Sequence, residues 1–218
     1  MNNQPKVAVL GGGSWATAIV KMLCENLETV GWYMRSIHAT EHIKLNKHNP
    51  NYLSSAELHP NQLILSNNIN KTVENFDILV FAIPSAFLTS ELKKLTISLS
   101  NKVIFSAIKG IVPESGLIVG EHFFKKYNIP YKNIGVITGP CHAEEVAMER
   151  LSYLTIACQD QDQAKKVGEC LKSRYIQVKI SDDIIGTEYA AMLKNIFSIA
   201  AGISHGLGYG DNFQSVLM

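Results

Sequence analysis

The sequence lacks most of the features that would place it in a specialised class. It has almost no charge surplus, since 20 basic and 19 acidic residues leave a net +1. With no basic field to capture a nucleic acid, any anionic ligand must be held by a local site. The four cysteines (Cys24, Cys141, Cys158, Cys170) make no Cys-x-x-Cys pair and no metal spacing. Free thiols in a reducing cytoplasm are the expectation. The seven histidines are scattered, so no metal site is expected. The longest strongly apolar run, Ile78 to Ile83, stops at Pro84 and is too short to cross a bilayer. The polar start leads straight into Val7–Leu10, too short for the core of a signal peptide. A cytoplasmic chain with no membrane partner is therefore expected. Asn70-Lys71-Thr72 is then a chance match to a glycosylation sequon. There is no repeat and no low-complexity tract. What is present is a chain of 218 residues, 46% hydrophobic and 18% charged. That composition is globular and long enough to bury a substantial core.

Short β-rich runs alternate with helical patterns. The expected strands are Val7–Leu10, Val30–Met34, Leu63–Leu65, Ile78–Ala82, Val103–Ala107, Ile134–Thr138, Leu154–Ala157 and Ile176–Lys179. Between them, apolar residues recur at helical spacing, as in Trp15, Ala18, Ile19, Met22 and Leu23. Val119, Phe123 and Phe124 mark a second such face, and Ala164, Val167 and Leu171 a third. The alternation predicts an α/β fold with a doubly wound, mainly parallel, Rossmann-like sheet. Near Ser181 the pattern changes. Ser181-Asp182-Asp183 reads as a helix start, and Ile184 to Ile203 as one long helix with no strand after it. The expected division is a dinucleotide-binding domain over 1–181 and the start of an all-helical domain over 182–218. The second segment is too short to hold its own core. Its completion by further residues, or by another chain, is expected.

Gly11-Gly12-Gly13-Ser14-Trp15-Ala16 fits Gly-x-Gly-x-x-Ala, directly after the first strand and at the opening of a helix. In that context Gly11 permits the tight turn, Gly13 lets a pyrophosphate approach the backbone, and Ala16 allows close helix–strand packing. The helix N-terminus then faces the phosphates. The plain alternative is a glycine-rich turn without a ligand. The second strand ends in Arg35-Ser36, where an acid reading the ribose 2′-hydroxyl would favour NAD. Arg35 could instead pair with a 2′-phosphate, which points towards NADP; a solvated surface arginine is the alternative. Pro84 and Ser85, after the fourth strand, are expected to start a helix and wall the cofactor site.

Three further places suggest a reaction site. Lys109 follows the fifth strand, and Gly110 beside it permits a sharp turn towards the crevice. Gly139-Pro140-Cys141-His142-Ala143-Glu144-Glu145 combines a turn with a helix start, which offers N–H donors to an anion. Lys194 lies in the long helix with Ala190, Ala191, Phe197 and Ser198 one turn away. A lysine there is either a snorkelling surface residue or a desolvated amine fit for acid–base work.

Gly11–Ala16, the Gly139–Glu145 segment, Tyr189-Ala190-Ala191-Met192-Leu193-Lys194-Asn195 and the tail Gly206-Leu207-Gly208-Tyr209-Gly210-Asp211-Asn212 together resemble bacterial NAD(P)-dependent glycerol-3-phosphate dehydrogenase. The order and spacing agree along the whole chain. The resemblance implies reversible reduction of dihydroxyacetone phosphate to sn-glycerol 3-phosphate, feeding phospholipid synthesis. It implies Lys194 as the catalytic lysine. Gly11, Gly13, Ser14, Trp15, Arg35, Lys109 and Ala143 would contact NADP or NAD, and Lys109, Gly139, Cys141 and Lys194 the substrate. No metal is implied, and a homodimer is compatible. The family usually has Ser or Thr where Cys141 stands and Phe where His142 stands, and cysteine is the weaker hydrogen-bond donor. Two rival functions remain. One is a related Rossmann dehydrogenase of another hydroxy acid or sugar acid; the other is a nucleotide-sensing domain without catalysis.

Overall fold

The computed structural model describes residues 4–217. In chain order the elements are β1 (Val7–Leu10), α1 (Ser14–Cys24), β2 (Val30–Tyr33), α2 (Ile37–Asn46), β3 (Leu63–Ser66), α3 (Ile69–Asn75), β4 (Ile78–Phe81), α4 (Ser85–Leu92) and β5 (Val103–Ser106). A small hairpin follows, β6 (Ile111–Val112) with β7 (Leu117–Ile118). Next come α5 (Val119–Tyr127), β8 (Ile134–Thr138), α6 (Ala143–Ala147), β9 (Ser152–Cys158), α7 (Gln161–Leu171) and β10 (Ile176–Ser181). Two helices end the described chain, α8 (Ile184–Gly206) and α9 (Asp211–Leu217).

All eight expected strands join one sheet, in the order β10-β9-β8-β5-β4-β1-β2-β3. Every residue of β1, β2 and β4 is buried, as befits strands covered by helices on both faces. Successive side chains of a strand point to opposite faces. Val7 and Val9 therefore join the core beneath α1, with Trp32, Ile19 and Leu23. Ala8 and Leu10 join the other, with Phe81, Leu88 and Phe123. This two-sided burial is why the strands read as continuous apolar runs.

The sheet is not parallel throughout. β9 runs antiparallel to β8, and β10 lies parallel to β9. A parallel return needs a crossover that spans the length of a strand. The segment after Thr138 holds only the five-residue α6. The chain turns back after it, and the next strand pairs antiparallel.

Phe124 departs from its expected place on the apolar face of its helix. It is exposed, and it stacks on Tyr131 with ring centroids 4.5 Å apart. Adjacent helical residues diverge by about 100°, so Phe123 takes the core and Phe124 cannot.

The start of α8 is capped as its sequence suggests, with the Asp183 carboxylate accepting from the Gly186 N–H at 2.7 Å. The helix extends to Gly206, three residues past the expected Ile203. Ile184 and Glu188 anchor its first turns in the fold, while Ile196, Phe197, Ile199 and Ile203 are exposed.

Candidate functional site

The glycine turn lies between β1 and α1, where β1 is flanked by β4 on one side and β2 on the other. This is the point at which the strand order reverses, and the loops there leave a crevice. Gly11 has φ +137°, and a Cβ on it would meet the carbonyl oxygen of Ala82 at 2.2 Å. Both its conformation and its close approach to the β4 loop require glycine. Gly13 differs. A Cβ there would meet nothing within 4 Å, because the position faces open space.

The carbonyls of this turn are all drawn back into the protein. The Trp32 indole donates to Gly11 O at 2.7 Å. The buried Asn49 amide donates to Gly12 O at 3.1 Å and to Thr17 Oγ1 at 2.9 Å. Gly13 O accepts from both Thr17 N–H and Thr17 Oγ1 at 3.0 Å. With the oxygens turned inward, the amides from Gly12 to Ala16 have no protein acceptor among the described residues. Gly12 and Gly13 line the cleft, at the positive end of the α1 dipole. The arrangement fits a pyrophosphate: N–H donors at a helix N-terminus, with clear space over Gly13.

That cleft has a volume of about 250 Å³. Gly11, Gly13, Arg35, Ile83 and Phe87 line it, with Glu91 on its far wall. The Arg35 guanidinium stands 5.6 Å over the Phe87 ring, and its Nε is 3.6 Å from Glu91 Oε1. The Arg35 side chain is 63% exposed. Ser14 and Trp15 open α1, and Trp15 packs its half-buried ring against the core. Ala16 is fully buried. Pro84 caps α4, which starts at Ser85 as expected.

A second cleft of about 370 Å³ lies on the same edge of the sheet, where β8 ends. Gly139, Thr138, Thr155, Thr187, Ala190 and Lys194 line it. Gly139 has φ +145°, and a Cβ would strike the Tyr153 carbonyl oxygen at 2.3 Å. Its glycine thus has a backbone reason independent of any ligand. Cys141 is buried while His142 is exposed, so the neighbouring thiol and imidazole do not act as a pair. Burial pushes the Cys141 thiol up, partly offset by Ser152 and Lys109. Ala143 is buried at the first position of α6, which packs on α1.

Gly110 adopts φ +94°, the sharp turn expected beside Lys109. The Lys109 ammonium is held below its ordinary value, first by crowding from the surrounding protein, then by the charge of Lys194. Cys141 acts in the opposite sense. Lys194 itself is exposed on α8. Sequence reasoning missed Trp32, Asn49 and Glu91. Glu91 had a signal, because it falls one turn from Leu88 on the buried stripe of α4. Asn49 had none, since its partners lie more than thirty residues away.

A glycine turn at the switch point of a mostly parallel sheet, covered by helices on both faces, defines a Rossmann-like dinucleotide-binding α/β domain. The relatives narrow this. The profile described as NAD-dependent glycerol-3-phosphate dehydrogenase N-terminus matches residues 6–164, and that for the C-terminus of the same family matches 183–218. The chain belongs to the NAD-dependent glycerol-3-phosphate dehydrogenase family. It is 38% identical over 97% of its length to glycerol-3-phosphate dehydrogenase (NAD(P)+) of an Exiguobacterium species, covering 62% of that protein. It is 36% identical over 98% of its length to the enzyme of the same name from Lysinibacillus sphaericus, covering 63% of it. The chain thus spans under two thirds of the length of these relatives. Among solved structures, glycerol-3-phosphate dehydrogenase of Plasmodium falciparum superposes with a TM-score of 0.86 at 26% identity, over 98% of this chain and 62% of that one.

Proposed function

We propose that this chain is the coenzyme-binding part of an oxidoreductase that interconverts dihydroxyacetone phosphate and sn-glycerol 3-phosphate with NADP or NAD. Residues 1–181 form the coenzyme domain, and 182–218 begin a helical substrate domain. The observation that carries the reading is the shared edge of the sheet. An anion-binding turn at Gly11–Ala16 and a lysine-bearing cleft at Gly139 and Lys194 lie along the same carboxyl ends of the strands.

In this reading Ser14, Trp15 and Ala143 flank the bound coenzyme, and Arg35 lies over its adenosine end. The coenzyme supplies a hydride for C2 of the substrate. Lys194 Nζ gives a proton to the C2 oxygen and recovers it in the reverse direction. Before that transfer its charge stabilises the developing alkoxide. Lys109 supplies a second positive charge, and its pKa is lowered first by burial and then by the charge of Lys194. The hydroxyls of Thr138, Thr155 and Thr187, beside Gly139, offer polar contacts to a small hydroxylated substrate, while the Cys141 N–H is taken by Gly139 O at 2.9 Å. Phosphate esters of glycerol of this kind feed phospholipid synthesis. The protein is read as cytoplasmic, acting alone or as a homodimer.

The test is Lys194→Met in a chain extended to the length of its relatives. It keeps the stem and removes the amine. The expected result is a kcat lower by roughly 10²–10⁴-fold with coenzyme affinity unchanged. Wild-type turnover in this variant would refute the assignment and leave Lys109 as the better candidate.

A further inference from the structure

Helix α8 carries Lys194 to the second cleft from a narrow footing. Between Ile184 and Lys194 the buried residues are Ile184 and Glu188. Ile184 packs with Val136 and Ala157 on the sheet. Glu188 lies one turn further on and is 6% exposed. Its two oxygens accept from the Gly120 N–H of α5, at 3.2 and 3.0 Å. The neighbouring face of α8, with Thr187, Ala190, Ala191 and Lys194, lines the cleft.

Both sides of this contact are built for it. The N-cap of α5 is Ile118, which makes no side-chain cap bond, so the first N–H groups of that helix have no local acceptor. Glu188 supplies one from another element, at the positive end of the α5 dipole. Burial pushes its carboxyl up, and the Gly120 and Val119 N–H groups hold it down. On the other side, the backbone at Gly120 is not left-handed, so its φ gives no reason for glycine. Glycine also weakens a helix. The reason is the carboxylate: a Cβ on Gly120 would stand 2.8 Å from Glu188 Oε2. The contact has leverage over the lysine. At about 1.5 Å per residue, Glu188 lies about 6 Å along the axis from Ile184, and Lys194 about 15 Å. With Ile184 as pivot, a shift of about 1 Å at Glu188 moves Lys194 by about 2.5 Å. A displacement of that size costs orders of magnitude in a step that depends on orientation.

We propose that Glu188 is the positioning residue for Lys194. Its carboxylate joins the N-terminus of α5 to an early turn of α8, and so sets where the lysine amine stands over the cleft at the end of β8. It acts through the helix and touches neither coenzyme nor substrate. The proposal rests on the reading of Lys194 as the proton donor.

Steady-state kinetics of a chain extended to the length of its relatives tests the assignment, with a calorimetric titration of NADH or NADPH and a melting curve for each variant. Glu188→Ala should lower kcat about tenfold or more at temperatures where it is folded, with coenzyme affinity unchanged. Glu188→Gln keeps one acceptor oxygen and should recover most of that loss. Gly120→Ala crowds the carboxylate from the other helix and should also lower kcat. Joined to Glu188→Ala it should add little, because the contact is already broken. A residue that only stabilised the fold would move the melting curve and leave kcat as it was. Wild-type kcat in folded Glu188→Ala, or equal kcat in the Ala and Gln variants, overturns the positioning role and leaves the reading of Lys194 intact. So does a parallel loss of coenzyme affinity, the mark of a general loosening of the coenzyme domain. If Glu188→Ala does not fold, Gly120→Ala decides, and wild-type turnover there overturns the role. No turnover in the extended wild-type chain overturns the proposed reaction and the positioning role together.

Discussion

At the residue scale, glycines of one motif do different work. Gly11 is needed by the fold, because a Cβ would sit 2.2 Å from Ala82 O at a φ only glycine adopts comfortably. Gly13 meets no such demand from the fold, because the space over it is open. Two substitutions should therefore separate. Gly13→Val should leave the melting temperature close to that of the wild type and abolish NADH or NADPH binding in a calorimetric titration. Gly11→Ala should lower stability by about 3 kcal/mol in a denaturant titration, from steric overlap and backbone strain together. Equal loss of stability in the two variants would contradict the assignment of open space to Gly13. The carbonyl tethers extend the argument. Trp32, Asn49 and Thr17 each hold one oxygen of the turn, so the outward set of amides is built by side chains outside the motif. Truncating Asn49 would leave the part-buried Gly12 carbonyl without its donor and take one of two partners from the buried Thr17 hydroxyl, a loss that normally costs stability.

At the scale of elements, the seam between α5 and α8 is controlled by one carboxylate. Glu188 of α8 is buried, and both its oxygens accept from the Gly120 N–H at the start of α5, at 3.0 and 3.2 Å. Burial pushes its pKa from the ordinary 4.5 to about 7, against the stabilising backbone N–H groups of Gly120 and Val119. Because the folded value is the higher one, the folded chain binds the proton more tightly than the unfolded chain. The stability from this group is complete below pH 4.5 and is lost as the pH rises through about 7. The loss is on the order of 3 kcal/mol. Thermal unfolding followed between pH 4 and pH 8 (roughly the window set by these two values) should show this decline. Glu188→Gln should flatten it. A decline of the same size in the variant would assign the pH dependence to other groups. The α6 turn shows a different element-scale effect. Its five residues lie in the connection from β8 to β9, and the strand that follows reverses direction.

At the scale of the molecule, the coenzyme cleft is bounded by β1, β2, β4 and α4, all of them well before residue 181. The lysine cleft is bounded partly by α8, whose remaining face carries exposed apolar residues. Coenzyme binding and turnover should therefore respond differently to chain length. The chain of 218 residues should bind NADH or NADPH as tightly as one extended to the length of its relatives. Its reduction of dihydroxyacetone phosphate should be slower by roughly 10³-fold or more, since a substrate held on one side gains little from orientation. Coenzyme oxidation, read by absorbance, measures the difference. Comparable turnover in the two would show that the lysine cleft is sufficient alone.

The strands, the glycine turn, the helix start at Asp183 and the lysines after β5 and within α8 were all legible in the sequence. Each rests on a local signal: an apolar run, a fixed spacing of glycines, a capping acid, a charged residue at a strand end. Local signals survive in one dimension because the backbone reads them within a few residues. The reversal of β9 is a matter of how two strands pair in space, which no single residue announces. The grip of Trp32 and Asn49 on the turn joins residues more than twenty positions apart. Arg35 stood in the sequence as a lone cation after a strand that lacked an acid. Only the packing of α4 against the sheet edge set Glu91 behind it and Lys94 beside it. Such contacts exist only once the strands have been ordered, because burial and pairing of charge are properties of neighbours in space.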